Sequence, residues 1–387
     1  MNDQTGQISS TSRRVWQLAW PTIISNLLFT TVGFAHIKIV SELGNSAVAA
    51  VTSGHRIFFL IQAVLMGLSI ATTAMVARSW GAKRIAEAEI VTWTSIALGL
   101  LLGLVLSLPA LLMPEAVASM FGLDEETTRK TASFIFWLGV FNLFSALNML
   151  LATSLRATGD VITPLWFLLF SSMFNILFGY LLAHGVAGLP AMGVSGVAFG
   201  GSFASAMVTC VFAAVWWRGK FTIKALKQWR IDLPTARQLV SIGAPSVLEQ
   251  GFVQVAFLAF FAIVGQYGTS PYAAYGIGIS IVSFSIVIGF GFGIAAATLV
   301  GQQLGAGNPE LAMKAGWRGL RMAIVAMSIF SVLMAIYARE LASFMIDDEE
   351  TVQLTVLFIY IIAIAQPIMA VDITLSGALR GAGDTRF

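Results

Sequence analysis

Long apolar runs without charge dominate the chain, and short polar breaks separate them. A run of about 20 apolar residues is long enough to cross a bilayer as a helix. Strict alternation of apolar and polar positions, which marks a membrane β-strand, is absent. The pattern predicts ten membrane-spanning helices, at residues 15–41, 47–77, 90–113, 131–153, 161–184, 192–217, 238–265, 271–301, 315–338 and 352–378.

The chain also repeats itself, without a gap, at an offset of 224 residues. The matching pairs include LRATGD at 155–160 with LRGAGD at 379–384, Asp124 with Asp348, Pro21 with Pro245, Gly67 with Gly291, Gly81 with Gly305, and Trp93 with Trp317. One structural unit is therefore used twice. The second copy ends where the first copy still has two spans to come. We therefore expect a complete protein about sixty residues longer, with twelve spans in two halves.

The predicted fold class is an all-α polytopic membrane protein built from two parallel six-helix repeats, the second incomplete. Six spans per half give both halves the same orientation, so an axis along the membrane normal relates them, as in many transporters. The predicted domains are an N-terminal lobe at 1–217, a basic cytoplasmic linker at 218–237, and a C-terminal lobe at 238–387 with four of its six helices.

Composition and charge agree with a membrane protein. Hydrophobic residues make up 57% of the chain and charged residues 11%, whereas a soluble domain carries about a quarter charged residues. Most of the 22 Lys and Arg residues fall in the breaks that share a side with the N-terminus. The positive-inside rule places that side in the cytoplasm. This distribution accounts for the basic balance without a nucleic-acid partner.

Motifs for other chemistry are missing from the sequence. The single cysteine, Cys210, lies in an apolar run, and no Cys/His spacing typical of a metal site appears. The glycine-rich stretches are not followed by the GK[ST] of a phosphate loop. We therefore predict no enzyme activity, no metal and no cofactor.

Two acidic residues lie inside predicted spans. Glu249 follows Pro245 by four residues in span seven, and Asp372 precedes Arg380 by eight in span ten. An ionisable side chain in the bilayer core is costly, so each is a candidate functional residue. Two carboxylates together can bind a cation through oxygen or share a proton. The alternative is that each acid only bonds a neighbouring helix.

The repeat makes these acids more informative. Ser25 stands at the position equivalent to Glu249, and Asn148 at the position equivalent to Asp372. Polar contacts between helices explain polarity at both positions, but they do not explain why one copy is charged. The predicted cavity or polar-network residues are Ser25, Asn26, Gln250, Gln254, Asn142, Asn148 and Gln366.

Histidine is rare, and His36 in span one is the most informative case. Histidine titrates near pH 6.5, so His36 is a candidate proton carrier and a poor Na+ ligand. A polar residue at the membrane interface is the alternative. For Lys38 we expect a side chain that reaches the outer surface, and for His55, Arg56 and His184 we expect interfacial positions.

Together, these features resemble one transporter family. A proline early in spans one and seven, Gly-Ala after spans two and eight, and LRATGD or LRGAGD after spans four and ten resemble the MATE (multidrug and toxic compound extrusion) transporters. The resemblance covers the chain from about residue 18 to its end. It implies two six-helix lobes in a bacterial inner membrane. It also implies export of cationic or amphipathic drug-like compounds through a cavity between the lobes, in exchange for H+ or Na+.

The chain departs from the family pattern at the coupling residues. The resemblance places the acids of many sodium-coupled members at Val253 and Met369, which are apolar here. Glu249 and Asp372 each lie one turn nearer the cytoplasm, so we infer that an acidic pair is kept but displaced. His36 stands where the family usually has an aspartate.

Two other functions remain open. A flippase for lipid-linked precursors with the same two-lobe plan would line its cavity with several Arg or Lys residues. Apart from Arg318 and Arg321 at the start of the ninth span, only Lys38 and Arg56 lie within the spans, both near the outside. A membrane protein that no longer transports is the third possibility. In every case we expect a monomer surrounded by lipid.

Overall fold

The computed structural model describes residues 2–225 and 231–385, so the centre of the predicted linker, 226–230, lies outside the described residues. Twelve α-helices form the described chain: α1 (Asn2–Ser41), α2 (Asn45–Gly81), α3 (Ile85–Leu112), α4 (Pro114–Ser119), α5 (Glu125–Thr158), α6 (Ile162–His184), α7 (Val194–Trp217), α8 (Leu233–Gly265), α9 (Thr269–Gly305), α10 (Pro309–Ile336), α11 (Ala338–Met345) and α12 (Glu349–Ala382).

The ten predicted spans are confirmed. Within the described residues, 10 helices are long and apolar enough to cross a membrane, and each coincides with one predicted span, although four of those spans run one or two residues past the helix. Helices are the expected outcome because backbone polar groups in lipid must bond within their own segment. The all-α fold class is likewise confirmed.

The sequence pattern missed the two short helices, α4 and α11. They follow the third span of each copy, and Pro114 of α4 is equivalent to Ala338 of α11. Charged residues, Glu115 in α4 and Arg339 in α11, place both helices in polar breaks. A search for long uncharged runs therefore cannot find them.

The repeat is visible in side-chain packing as well as in sequence. A Cβ atom at Gly54 of α2 would overlap the ring of Phe134 of α5. In the second copy, a Cβ atom at Gly278 of α9 would overlap the ring of Phe358 of α12. The offset of 224 residues relates the first pair to the second. Each glycine thus makes room for a phenylalanine from the fourth long helix of its own copy.

The chain divides into two compact units, and the divisions fall inside helices. One unit is Ile24–Val247, and the other is Met1–Ile23 with Leu248–Phe387. The first halves of α1 and α8 therefore belong to the unit of the opposite copy. The boundary between units does not coincide with the predicted linker at 218–237.

Two equivalent close contacts explain this exchange. In the unit Ile24–Val247, Gly67 of α2 lies against Val247 of α8, and a Cβ atom at Gly67 would overlap that valine. In the other unit, Gly291 of α9 lies against Ile23 of α1 in the same way. A glycine allows a neighbouring helix to approach closely. The start of each copy's first helix thus packs on the second helix of the other copy.

Candidate functional site

A cluster of two histidines and an asparagine lies within the unit Ile24–Val247. Nδ1 of His36 on α1 lies 3.4 Å from Nε2 of His55 on α2. Nε2 of His36 lies 2.7 Å from Oδ1 of Asn175 on α6. The two imidazole rings stack with their centroids 5.5 Å apart. His36 is buried, with 4% of its surface exposed.

Asn175 is held in one orientation by α7. Its Nδ2 atom donates to the carbonyl oxygen of Gly201 over 2.9 Å and to Oγ of Ser205 over 3.1 Å. A carbonyl oxygen accepts but never donates, so the atom facing Gly201 is the amide nitrogen. The oxygen of Asn175 is therefore the atom that faces His36.

His55 owes its position to the glycine before it. Gly54 allows the Phe134 ring to lie close to α2, and this ring meets the His55 imidazole edge to face at 5.3 Å. The sequence placed His55 at the membrane interface, and that prediction missed its contact with His36. It also missed Asn175, which lies in an uncharged apolar run. In the sequence, only the rarity of histidine distinguished His36 and His55, and this signal does not extend to Asn175.

The second candidate site has Glu249 at its centre. Nη2 of Arg380, in the last turn of α12, donates to Oε1 of Glu249 on α8 over 2.5 Å. Arg380 belongs to the LRGAGD motif. Its side chain is 17% exposed, and that of Glu249 is 47% exposed. The ion pair satisfies the charge of Glu249, the single charged residue between 238 and 265.

Asp372 is not part of this ion pair. It lies eight residues before Arg380 on α12, which is about 12 Å along the helix axis. Its side chain is exposed, and it makes no hydrogen bond or ion pair with another residue of 2–225 or 231–385. The structure thus pairs Glu249 with Arg380. The pairing of Glu249 with Asp372 stays a prediction.

Three of the predicted polar-network residues join helices within one copy. Asn142 of α5 is fully buried and donates to the carbonyl oxygen of Gly103 and to Ser107 of α3 over 3.1 and 2.9 Å. Asn148 donates to Thr209 of α7 over 3.2 Å. These contacts fit a role in holding the helices together.

The second copy carries an amide at the equivalent position, but this amide bonds a different helix of its copy. Oε1 of Gln366 on α12, at the position equivalent to Asn142, accepts from Ser285 of α9 over 2.6 Å. Both amides therefore sit at the same place in their repeats, and both are fully buried.

The remaining predicted residues lie along the first helix of each copy. Ser25 is buried, and Asn26, Gln250 and Gln254 are partly buried. Ser25 and Asn26 belong to α1, and Gln250 and Gln254 to α8. The described contacts do not gather these four into the histidine cluster.

Three other predicted interfacial residues are Lys38 on α1, Arg56 on α2 and His184 on α6. Lys38 and Arg56 are exposed. Nε2 of His184, at the end of α6, lies 3.8 Å from a carboxylate oxygen of Glu42. Within residues 2–225 and 231–385, no group of three or more His, Cys, Asp or Glu residues could hold a metal ion.

Comparison with known proteins identifies the family. The MatE family model matches residues 21–181 and 245–387. The probable multidrug resistance protein NorM of Thermotoga maritima is 23% identical over 98% of this chain and 82% of its own length. The multidrug resistance protein NorM of Burkholderia vietnamiensis is 28% identical over 96% of this chain and 81% of its own.

A solved structure shows the same fold. The crystal structure of the Vibrio cholerae MATE transporter VcmN in the bent form is 18% identical, and the alignment covers 97% of this chain and 85% of that one, with a TM-score of 0.89. At this identity the likeness concerns the fold alone. Because the family model matches most of the chain, this multi-pass membrane protein belongs to the MatE family of transporters.

Proposed function

We propose that this protein is a multidrug efflux antiporter that exports cationic or amphipathic compounds in exchange for H+ or Na+. The observation that carries the proposal is the family membership, together with relatives named as multidrug resistance proteins. Ten apolar helices supply the membrane path. The chain's own contribution is a small set of titratable residues on otherwise apolar helices.

In the proposed mechanism, Glu249 and Asp372 hold the coupling ion in the C-terminal half. A carboxylate that is paired with a guanidinium has its charge satisfied. A proton or a cation that binds Glu249 must therefore displace Arg380. Loading of the site and opening of the Glu249–Arg380 ion pair are thus linked, which gives the ion a way to bias the position of α8 against α12.

His36 is the proposed titrating residue of the N-terminal half. It is buried and hydrogen-bonded to Asn175. Because an imidazole is a poor ligand for Na+, this half favours H+.

Dye efflux from whole cells or right-side-out vesicles tests the proposal. The full-length protein should extrude a cationic dye when a pH or Na+ gradient is imposed. Glu249→Gln and Asp372→Asn should abolish this efflux without lowering the amount of protein in the membrane. Glu310→Gln, at the exposed start of α10, is the matched control and should transport like the parent.

Two outcomes contradict the proposal. Absence of dye efflux in the parent under either gradient would leave a protein that does not transport, or a flippase for lipid-linked precursors. If both carboxamide variants transport like the parent, neither acid carries the coupling ion.

Location and assembly are part of the same proposal. We infer a bacterial inner membrane, a cytoplasmic N-terminus and a monomer. The positive-inside distribution of Lys and Arg supports the orientation. Protease access to an N-terminal tag in right-side-out and inverted vesicles tests it, because only inverted vesicles should expose the tag.

A further inference from the structure

The contact between His36 and His55 has a direction that the hydrogen bonds determine. The oxygen of Asn175 can only accept, so Nε2 of His36 carries the hydrogen of that 2.7 Å bond. In neutral His36, Nδ1 then carries a lone pair. Nδ1 faces Nε2 of His55 at 3.4 Å, so the hydrogen between the two rings belongs to His55.

The two rings therefore form a hydrogen-bond chain in which His55 donates to His36 and His36 donates to Asn175. The chain begins at Nδ1 of His55, a ring nitrogen that carries no hydrogen. In neutral His55, Nε2 carries the hydrogen and Nδ1 carries the lone pair. A proton entering this chain can add only at Nδ1 of His55, because every other ring nitrogen already carries or accepts a hydrogen. His36 is 4% exposed, whereas His55 is partly exposed. His55 is thus the less buried member of the pair.

We propose that His55 is the proton-entry residue of a two-histidine relay in which His36 stores the proton. A proton binds Nδ1 of His55, and the Nε2 proton of His55 moves to Nδ1 of His36. His36 is then the imidazolium and donates to Asn175 and to His55. His55 ends neutral, with its hydrogen on Nδ1, so one proton is gained in total.

Asn175 is the positioning residue of the relay. With its amide nitrogen held by Gly201 and Ser205, its oxygen stays directed at His36 in both protonation states. This fixed acceptor keeps the Nδ1 atom of His36 as the receiving atom. A bond of this kind, from one ring nitrogen to an oxygen acceptor, is the usual way to fix a histidine tautomer.

Among the described residues, no carboxylate forms an ion pair or a hydrogen bond with either histidine of the pair. Phe134 faces the pair from α5, and Lys130, one turn earlier, is tied to Glu126 and Ser46. Asn175 faces it from α6, whose two titratable groups, Tyr180 and His184, pack against each other, with His184 beside Glu42.

On the remaining helices, α7 has no charged residue between Val194 and Trp217. Lys38 and Arg56, on the pair's own helices, are exposed cations. A proton on His36 is therefore stabilised by the hydrogen-bond chain rather than by an acid.

The second copy lacks this arrangement. Phe260 and Ile279 stand at the positions equivalent to His36 and His55, although Gly278 and Phe358 reproduce the Gly54 and Phe134 packing. The shared packing serves the fold. The histidines are an addition in one copy, which is the asymmetry expected of a functional site.

The inference rests on the proposed antiport, which it deepens by naming the residue through which H+ reaches His36. A test independent of transport uses nitrogen NMR of the full-length protein labelled at its 3 histidines. His184→Gln removes the third signal and is the matched control. On acidification, His36 should become doubly protonated while His55 stays neutral and its hydrogen moves from Nε2 to Nδ1. Two independent titrations, or an imidazolium at His55, would overturn the relay.

Transport provides the second test. His55→Phe keeps a ring against Phe134 but removes both nitrogens. We expect efflux driven by a pH gradient to fall by at least about tenfold, comparable to the loss of a proton-transfer group, while His184→Gln transports like the parent. Unchanged efflux in His55→Phe would overturn the inference. If His55→Phe fails to fold, the tautomer change in the parent still decides it. If the parent exports no dye, the antiport proposal fails, whereas the NMR result still tests the pair.

Discussion

Lys83 and Gly307 are equivalent turn residues, and both have a left-handed backbone, with φ of 57° and 77°. They follow α2 and α9 and lead into the next helix of each copy. Among the described residues, Lys83 is the only non-glycine with positive φ. The first copy thus tolerates a side chain where the second has none.

The left-handed backbone at Lys83 leads to a prediction about stability. A left-handed conformation costs a residue with a Cβ roughly 1–2 kcal/mol. We expect Lys83→Gly to raise the free energy of unfolding by about 1 kcal/mol, since glycine adopts this conformation freely. Thermal or denaturant unfolding in detergent measures the change. Gly307→Lys is the reverse control and should lower stability, and a Lys83→Gly protein that is less stable than the parent would contradict the prediction.

The Glu249–Arg380 ion pair predicts opposite effects from its two members. If the coupling ion competes with Arg380 for Glu249, Arg380→Gln should lower the ion concentration that half-saturates efflux. Glu249→Gln should abolish efflux at every ion concentration. Efflux rates measured against proton or Na+ concentration distinguish the two.

Arg380→Lys serves as the conservative control for that comparison, because it keeps the positive charge. An Arg380→Gln protein that needs more ion than the parent would refute competition. It would then assign Arg380 a purely structural role in joining α12 to α8.

The two glycine–phenylalanine contacts predict equal sensitivity to added bulk. Gly54→Ala and Gly278→Ala each place a methyl group inside a phenylalanine ring position. Overpacking of this kind costs about 1–3 kcal/mol. We expect lower melting temperatures for both, with partial recovery when Phe134→Leu or Phe358→Leu is added. Gly54→Ala should in addition weaken proton-driven efflux, because it displaces the ring beside His55.

Two helix N-caps predict loss of stability in acid. Thr127 and Thr351 donate hydrogen bonds to Asp124 and Asp348, and these bonds hold the pKa of each carboxyl below its ordinary value. A pKa that is lower in the folded state than in the unfolded chain gives stability that is present above about pH 4. That stability is lost as the pH falls through the lower folded value.

Melting temperatures between neutral and acidic pH check this prediction. Asp124→Asn and Asp348→Asn keep a neutral cap, so both variants should lose less stability in acid than the parent. Asp347→Asn is the adjacent control, because Asp347 makes no hydrogen bond with a residue of 2–225 or 231–385. An acid transition unchanged in both cap variants would contradict it.

The sequence by itself determined the helices, the repeat and the class of protein. An apolar run that is long enough to cross a bilayer forms a helix, because a helix satisfies its backbone hydrogen bonds within the segment. All ten long helices therefore follow from the local pattern. The equivalences of Gly54 with Gly278 and of Asp124 with Asp348 follow from the repeat, and the structure gives each pair the same contacts. The acids and His36 were also identifiable, because charge and histidine are rare in these spans.

Only the tertiary structure decided which of these residues meet. His55 and Asn175 are 19 and 139 residues from His36 along the chain, and Arg380 is 131 residues from Glu249. Their contacts depend on the rotation and depth of each helix, which are set by packing at glycines such as Gly54, Gly67 and Gly291. The hydrophobic pattern of a membrane helix is nearly uniform around its axis, so it carries little information about rotation. For that physical reason the sequence predicted where the helices are, and packing decided which polar side chains they bring together.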